Sequence, residues 1–289
     1  MSTRETRDKT RAPREKNRPT GGKPGANKSA EGRPDRGQRP PGNQFWLYGH
    51  HAVLAALENP KRKFRRLVMT ADSAAQWAEA LAAARQNRAL PDPAIVDKQE
   101  MERLLPPNAV HQGIAALSEP LPSPTLEDIA RASEGQAHAV IMVLDQVTDP
   151  HNVGAILRSA AAFGVLAVVV PDRHSPEETG ALAKAASGAL ERMPLVRVTN
   201  VVRTLDDLKA AGFWVAGMAG EAPKTLASQK LSGRIALVMG AEGEGLRRLT
   251  REHCDYLVKL PMTGDMESLN VSNAAAVALY ELVREREFG

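Results

Sequence analysis

The stretch Ala139-Val140-Ile141-Met142-Val143-Leu144 decides the fold. Six apolar residues in a row are typical of a strand buried on both faces of a parallel sheet. Further apolar strands are predicted at 166–170, 195–198, 213–217, 235–239 and 256–260, alternating with helices near 152–163, 177–187, 201–211 and 272–286. This alternation predicts an α/β domain with a mostly parallel sheet and helices on both faces. Open α/β sheets bind ligands at the carboxyl ends of their strands, so the segments that follow these strands are candidate sites.

A smaller α/β module is predicted upstream. Strands at 65–70, 94–97 and 113–117 alternate with helices at 52–57, 73–84 and 98–105. The segment Glu119-Pro120-Leu121-Pro122-Ser123-Pro124 is rich in proline and cannot continue a sheet, so it is interpreted as a linker, and a short helix at 126–132 follows. The predicted boundaries are 44–119 for the module, 120–137 for the linker and 138–289 for the larger domain.

The first 42 residues form a basic tail. They hold 12 Lys and Arg, 5 Asp and Glu, and no Val, Ile, Leu, Phe, Trp or Tyr. Such a segment cannot bury enough apolar surface to offset its chain entropy, so residues 1–43 are predicted to be disordered. A mobile basic arm can strengthen RNA binding through phosphate contacts. A solubilising extension and a targeting segment are the alternatives.

Composition limits the class of protein. The 289 residues are 43% apolar and 25% charged, which fits two modest soluble domains. No stretch approaches the ~18–20 uncharged apolar residues of a membrane span, and the N-terminus lacks the apolar core of a secretory signal. Cys254 is the sole cysteine, which excludes an internal disulfide and a multi-cysteine zinc site, and no metal site is predicted. A cytoplasmic location without a membrane partner is therefore expected.

The first candidate segment runs from Asp145 to Arg158, directly after the opening strand. Asp149 or Asn152 can cap the helix that follows. Arg158 stands among apolar residues, which predicts a buried guanidinium that needs a carboxylate or phosphate partner. A structural arginine paired with an acid and an arginine that binds RNA phosphate are the two interpretations.

The second segment is Gly240-Ala241-Glu242-Gly243-Glu244-Gly245-Leu246. Its glycines fit neither GxGxxG nor the P-loop, which disfavours nucleoside triphosphate binding and a dinucleotide-dependent dehydrogenase. Glycines allow a backbone to approach a flat ligand closely, although a tight turn without a ligand explains them as well. Glu242 is either a solvated acid or a partner for Arg158.

The third segment runs from Leu260 to Asn273, where a strand ends, a loop follows and a helix begins. Asn270 or Ser272 can cap that helix. Capping leaves unexplained a ten-residue loop that mixes apolar Met262 and Leu269 with polar Ser268 and Asn270. Apolar faces with a few directed hydrogen bonds suit an adenine pocket.

Together the three segments resemble the motifs of the SpoU/TrmH family of RNA 2′-O-ribose methyltransferases, in order and in spacing. They stand here as Asn152–Arg158, Met239–Gly245 and Leu260–Ser272. The segments Tyr48-Gly49-His50-His51-Ala52-Val53 and His111-Gln112-Gly113-Ile114-Ala115 resemble the L30e-like substrate-binding module of the family. The bacterial 23S rRNA guanosine-2′-O-methyltransferases are the most similar subfamily, and the resemblance covers about residues 45–289.

This resemblance implies a SPOUT-like fold whose C-terminal segment threads into a trefoil knot, a homodimer, and a structured RNA substrate that is most simply 23S rRNA. It also implies S-adenosyl-L-methionine as the cofactor. The implied cofactor-binding residues are Met239, Gly240, Gly245, Leu260, Met262, Leu269 and Asn270. The implied catalytic residues are Arg158, Asn152, Glu242, Ser268 and Asn270. Arg158 is expected to stabilise the developing alkoxide, since an arginine rarely gives up a proton, and Asn152 and Glu242 are expected to orient it.

Two other functions fit parts of the sequence. Transfer-RNA ribose methyltransferases share the three motifs but typically lack the upstream module. A non-catalytic RNA-binding factor for ribosome assembly would not need the complete polar set. RNA recognition is assigned to the upstream module, which contains a basic strip formed by Lys61, Arg62, Lys63, Arg65 and Arg66. The alternative interpretation is that this strip is a solvated surface without a specific partner.

Overall fold

The structure, a computed structural model, describes residues 43–263 and 268–285. The predicted disordered tail, except for residue 43, lies outside these residues, as does part of the predicted loop at 260–270. The described chain contains a four-stranded and a seven-stranded sheet. No helix within the described ranges combines the length and the apolar character that a membrane crossing requires.

The first sheet has the strand order β1-β4-β2-β3, with β1 and β2 antiparallel to β4. Its elements are β1 Phe45–Tyr48, α1 His50–Glu58, β2 Phe64–Met69, α2 Ala71–Gln76, α3 Ala78–Asn87, β3 Pro93–Ile95, α4 Lys98–Leu104 and β4 Ile114–Ser118. The single helix expected at 73–84 is wrong, because α2 and α3 are separated at Trp77. The Trp77 ring packs edge-on against His50 at 5.0 Å, a tertiary contact that helix propensity does not encode.

The second sheet has the order β7-β6-β5-β10-β8-β11-β9, and every strand pair in it is parallel. Its strands are β5 Ala139–Leu144, β6 Ala167–Pro171, β7 Leu195–Val198, β8 Trp214–Met218, β9 Lys224–Thr225, β10 Arg234–Met239 and β11 Tyr256–Lys259. The helices are α5 Leu126–Ala132, α6 Pro150–Ala162, α7 Gly180–Ala186, α8 Val201–Ala210, α9 Leu226–Gln229, α10 Arg248–Glu252 and α11 Val271–Val283. The predicted α/β class is confirmed, and the trefoil knot stays a prediction.

Strand β5 explains why the sheet is covered on both sides. All six of its residues are buried. Because side chains alternate along a strand, Val140, Met142 and Leu144 enter one core cluster, and the other three residues enter a second. The first cluster also includes buried residues of α6, α7 and α11, and the second includes residues of α5 and α8. Each fully buried Val, Ile, Leu or Met side chain contributes about 1.5–3 kcal/mol to the stability of the fold.

The upstream module packs tightly against α7 and the turn that follows it. Arg62 is fully buried there and binds Glu178 at 2.9 Å and Glu191 at 2.7 Å. Gly180, the first residue of α7, lies so close to the Trp46 carbonyl and the Tyr48 ring that a β-carbon would overlap both. The expectation that Arg62 belongs to an exposed basic strip is therefore wrong. Arg62 is buried because Glu178 and Glu191 bind it. Both acids are distant in sequence, so the spacing of residues near Arg62 does not predict them.

Candidate active site and cofactor cavity

A cavity of about 430 Å³ opens at the carboxyl ends of three parallel strands. Segments that follow β8, β10 and β11, together with the first turn of α11, form its walls. The predicted cofactor residues Met239, Gly240, Gly245, Leu260, Met262 and Leu269 all line it, and so do Glu242 and Ser268. The second and third candidate segments, 20 residues apart, thus meet at one site.

The turn after β10 is held by its own backbone. Ala241 and Gly245 exchange two hydrogen bonds of 3.1 and 3.0 Å, which close residues 241–245 into a narrow turn. Gly243 and Gly245 have φ values of +82° and +68°, a region that favours glycine. Gly240 is required for a different reason, because a β-carbon there would overlap backbone atoms of Gly245 and Leu246. The glycines therefore shape the cavity wall.

The cavity lining is mixed in chemistry. Met239, Leu246, Leu260 and Leu269 give it apolar faces, while Glu221, Glu242 and Glu244 add carboxylates. Arg251 forms an ion pair with Glu221, and Lys259 adds a further cation to the lining. Apolar walls with a few convergent polar groups fit a flat organic ligand, and the carboxylates favour a ligand that carries positive charge.

Asn270, which was also predicted to bind the cofactor, is not among the residues that line this cavity, but it joins all three candidate segments beside it. Its Nδ2 donates to Glu242 Oε1 at 2.7 Å and to Asn152 Oδ1 at 3.0 Å. Its Oδ1 accepts from the backbone N–H groups of Ser272 and Asn273, at 3.0 and 3.3 Å, and so caps α11. The amide of Asn152 also donates to Glu242 Oε2 at 3.5 Å. One side chain therefore ties the start of a helix to the other two motifs.

Asn152 reaches this network because it lies in the first turn of α6. Asp149 caps that helix by accepting from the His151 N–H at 3.0 Å, and Pro150 occupies the first turn. Proline suits this position because its missing N–H would have no intrahelical acceptor. The local sequence thus fixes where the helix begins and directs Asn152 toward the cavity.

Arg158 lies farther along α6 and does not line the cavity. Its side chain is exposed, so the expectation of a buried guanidinium is wrong. The core face of α6 is taken by Ile156, Leu157 and Ala160, and the helical period turns residue 158 away from that face. Within residues 43–263 and 268–285 no side chain pairs with Arg158, and Asn152 and Glu242 bind each other and Asn270. Their expected role in orienting Arg158 stays a prediction.

The remaining third-motif residues line the cavity from its exposed side. Met262 and Leu269 are 45% and 40% exposed, high values for apolar side chains. Ser268 is exposed as well. Exposed apolar groups at a cavity mouth are consistent with a ligand or partner that covers them.

An ion pair between a buried carboxylate and a half-exposed arginine beside the site was missed by the sequence reasoning. Asp145, fully buried at the end of β5, accepts from Arg247 Nε at 2.8 Å and pairs with its Nη2 at 2.6 Å. Arg247 follows the turn at 241–245, so the pair anchors the chain as it leaves that turn. An acid directly after a strand buried on both faces was the available signal, since such a carboxylate needs a partner.

Cys254 is not a candidate nucleophile. Burial is the main cause and the nearby Asp255 carboxylate the second, and together they raise the pKa of its thiol to about 12. The thiolate is the nucleophilic form, so at neutral pH this side chain is inert.

Two family models together match most of the chain. The SpoU rRNA methylase family matches residues 139–280, and the RNA 2′-O ribose methyltransferase substrate-binding family matches residues 46–124. The 23S rRNA (guanosine-2′-O-)-methyltransferase RlmB of Pseudomonas putida is 46% identical over 247 residues, covering 83% of this chain and 96% of that protein. The protein of the same name from Escherichia coli K12 is 42% identical, covering 83% and 98%.

A solved structure is similar across the same range. The SpoU methyltransferase AviRb from Streptomyces viridochromogenes, in complex with the cofactor AdoMet, aligns with a TM-score of 0.71 and 26% identity. The alignment covers 84% of this chain and 91% of AviRb. The fold, the cavity and these matches define an RNA 2′-O-ribose methyltransferase with a substrate-binding module. The chain belongs to the SpoU rRNA methylase family.

Proposed function

We propose that the protein methylates the ribose 2′-hydroxyl of a guanosine in 23S rRNA, with S-adenosyl-L-methionine as the methyl donor. The names of relatives that are 42–46% identical over almost their whole length support the substrate. They favour 23S rRNA over the tRNA alternative, and an rRNA substrate is consistent with a cytoplasmic location. The observation that carries the proposal is the junction of three motifs through Asn270 beside the cavity.

The cavity fits the proposed cofactor. Its volume of about 430 Å³ is in the usual range for a small-molecule site, about 300–1,000 Å³. We assign Met239, Leu260, Met262 and Leu269 to its apolar faces. Gly240 and Gly245 shape the wall. When bound, S-adenosyl-L-methionine supplies a methyl group made electrophilic by a positive sulfonium, and the carboxylates of the lining complement that charge.

Arg158 is assigned to the RNA and not to the cavity wall. Because its guanidinium is exposed and uncommitted within the described chain, it is available to a phosphate and to the target 2′-oxygen. An arginine donates hydrogen bonds and rarely gives up a proton, so we assign Arg158 to stabilising negative charge on that oxygen and not to acting as a base. Asn152, Glu242 and Asn270 hold the motifs in place, and Ser268 lines the entrance.

Replacing Arg158 by alanine tests this assignment. We expect the rate of methyl transfer to rRNA to fall by about 10²–10³-fold, the usual cost of removing one donor to a developing oxyanion. The melting temperature and the affinity for S-adenosyl-L-methionine should stay unchanged, because the side chain is exposed and does not line the cavity. Arg131→Ala, an arginine that is 73% exposed on α5, is the matched control. A variant that methylates within twofold of wild type would exclude the role.

The upstream module is proposed to bind the RNA, with the boundaries 44–119, 120–137 and 138–289 given above. The match of residues 46–124 to a substrate-binding family supports this division. With Arg62 buried and Arg65 paired with Glu119, the exposed cations of the basic strip that remain unpaired in the described chain are Lys61 and Lys63. A tail at 1–43 would add phosphate contacts.

A homodimer is also proposed, through the exposed face of α11. Val277 and Tyr280 are 49% and 56% exposed and lie three residues apart, hence on one side of that helix. The Tyr280 ring also contacts Phe163, which directly follows α6, at 6.2 Å. Apolar side chains clustered on a surface favour contact with a partner.

Tyr280→Glu should convert the dimer to a monomer, because a carboxylate would be desolvated in the contact. Light scattering after size-exclusion chromatography measures the mass. Ile95→Glu, at a residue 57% exposed in the upstream module, is the control and should not change it. A Tyr280→Glu protein that elutes at the wild-type mass would place the subunit contact elsewhere.

A further inference from the structure

A second cavity, of about 470 Å³, lies at the carboxyl ends of β6 and β7. The segments after these two strands and the first residues of α10 line it. None of the site residues inferred above belongs to it. We call it the basic cleft, after its basic lining residues Arg173, His174, Arg247 and Arg248.

The charge of the basic cleft is one-sided. Among the described residues, three arginines and a histidine line it and no Asp or Glu does, whereas three glutamates line the cofactor cavity. Arg247 is partly neutralised by Asp145, and Arg248 by Glu252 at 2.7 Å. Arg173 and His174 have no partner in the described part of the chain. The cleft therefore carries positive charge that its own side chains do not balance.

A buried hydroxyl in the wall of the cleft points to a ligand. Thr250 is fully buried and its Oγ1 lacks a hydrogen-bond partner among the described residues. It lines the cleft together with Val201 and Val202, the first two residues of α8. N–H groups in the first turn of a helix have no intrahelical acceptor and attract anions. An unsatisfied buried hydroxyl is unfavourable in a finished core, and a polar ligand would satisfy it.

The basic cleft adjoins the cofactor cavity along the chain. Leu246 lines the cofactor cavity, and the next residue, Arg247, lines the cleft. The pair that Arg247 forms with Asp145 holds this boundary in place. An anion in the cleft would thus be bound beside the turn that shapes the cofactor site.

We propose that the basic cleft binds a phosphodiester group of the substrate RNA, close in sequence to the methylated nucleotide. The proposal rests on the RNA methylation proposed above but concerns a different cavity. Arginines suit phosphate because their planar donors match its oxygens, and the volume leaves room for an attached nucleotide. Free inorganic phosphate has the same chemistry and is the alternative source.

The test compares Arg173→Ala and Thr250→Val with wild-type protein. For Arg173→Ala we expect the Kd for an rRNA fragment to rise about tenfold, and the salt dependence of binding to weaken by about one phosphate contact. The KM for RNA should rise, while kcat at saturating RNA and the affinity for S-adenosyl-L-methionine stay unchanged. Arg203→Ala is the matched control, since Arg203 lies on α8 and is 82% exposed but does not line the cleft.

Thr250→Val removes only the hydroxyl and keeps the shape. A ligand role predicts weaker RNA binding with a melting temperature equal to or above that of wild type. Unchanged RNA affinity and salt dependence in both variants would overturn the proposal. So would inorganic phosphate that binds wild type but not Arg173→Ala, if RNA affinity is the same in the two proteins. A wild-type protein that methylates no RNA would instead refute the proposed function.

Discussion

Gly240→Ala is expected to weaken cofactor binding strongly. The added β-carbon would overlap backbone atoms of Gly245 and Leu246, and two backbone hydrogen bonds hold the turn that would have to yield. Overpacking against such atoms costs about 1–3 kcal/mol or more, so we expect the Kd for S-adenosyl-L-methionine to rise about 100-fold. Isothermal titration calorimetry measures this directly.

Gly220→Ala is the matched control for this prediction. Gly220 lines the same cavity, but a β-carbon there would meet nothing within 4 Å. The Kd of the Gly220→Ala protein for S-adenosyl-L-methionine should stay within about threefold of the wild-type value. Equal affinities in the two variants would show that the turn yields readily and that Gly240 does not shape the site.

Arg62→Met is expected to cause the largest loss of stability. Arg62 is fully buried and is the shared partner of Glu178 and Glu191, whose side chains are only 8% and 2% exposed. Removing one partner of a buried ionic group leaves uncompensated charge, which costs about 3–5 kcal/mol. The melting temperature should fall by roughly 10 °C in differential scanning calorimetry. Arg65→Ala, which breaks a mostly exposed pair with Glu119, should cost at most about 1 kcal/mol.

The loss in Arg62→Met should depend on pH. Desolvation raises the pKa of Glu178 even with Arg62 beside it, and removing that cation raises the pKa further. A carboxyl whose pKa is higher in the folded than in the unfolded state binds protons preferentially when folded, so its cost is relieved as pH falls through the raised pKa. Arg62→Met should therefore lose less stability in mildly acidic than in mildly alkaline buffer. A pH-independent loss would mean that packing, and not charge, dominates the contact.

The sequence was most informative where local pattern determines structure. The apolar run at 139–144 predicted a parallel strand buried on both faces, and the second and third motifs predicted two of the segments that surround the cavity. For α6 and α11 the sequence limited the cap residue to two candidates each, and the structure selects Asp149 and Asn270. These features depend on residues that are near neighbours in the chain.

The failures have two physical causes, namely the helical period and partners that are distant in sequence. Arg158 was expected to be buried because its sequence neighbours are apolar, but the helical period turns it outward. Arg62 was expected to be exposed because charged residues surround it, but Glu178 and Glu191, more than 100 residues later, bind it inside the protein. The pair of Asp145 and Arg247 was missed for the same reason as the contacts of Arg62. The two residues are far apart in sequence, and neither one alone indicates that the fold brings them together.

The close seating of the upstream module on α7 has a consequence for substrate choice. The buried guanidinium of Arg62 crosses this contact, and the Trp46 carbonyl lies against Gly180. The contact therefore holds the upstream module in one position relative to the larger sheet. If the module binds RNA as proposed, the distance between the bound RNA and the methyl-transfer site is fixed. Only an RNA that is already folded to fit this distance would place its ribose beside the methyl donor. The enzyme would therefore select its substrate by the folded shape of the rRNA before it contacts any base.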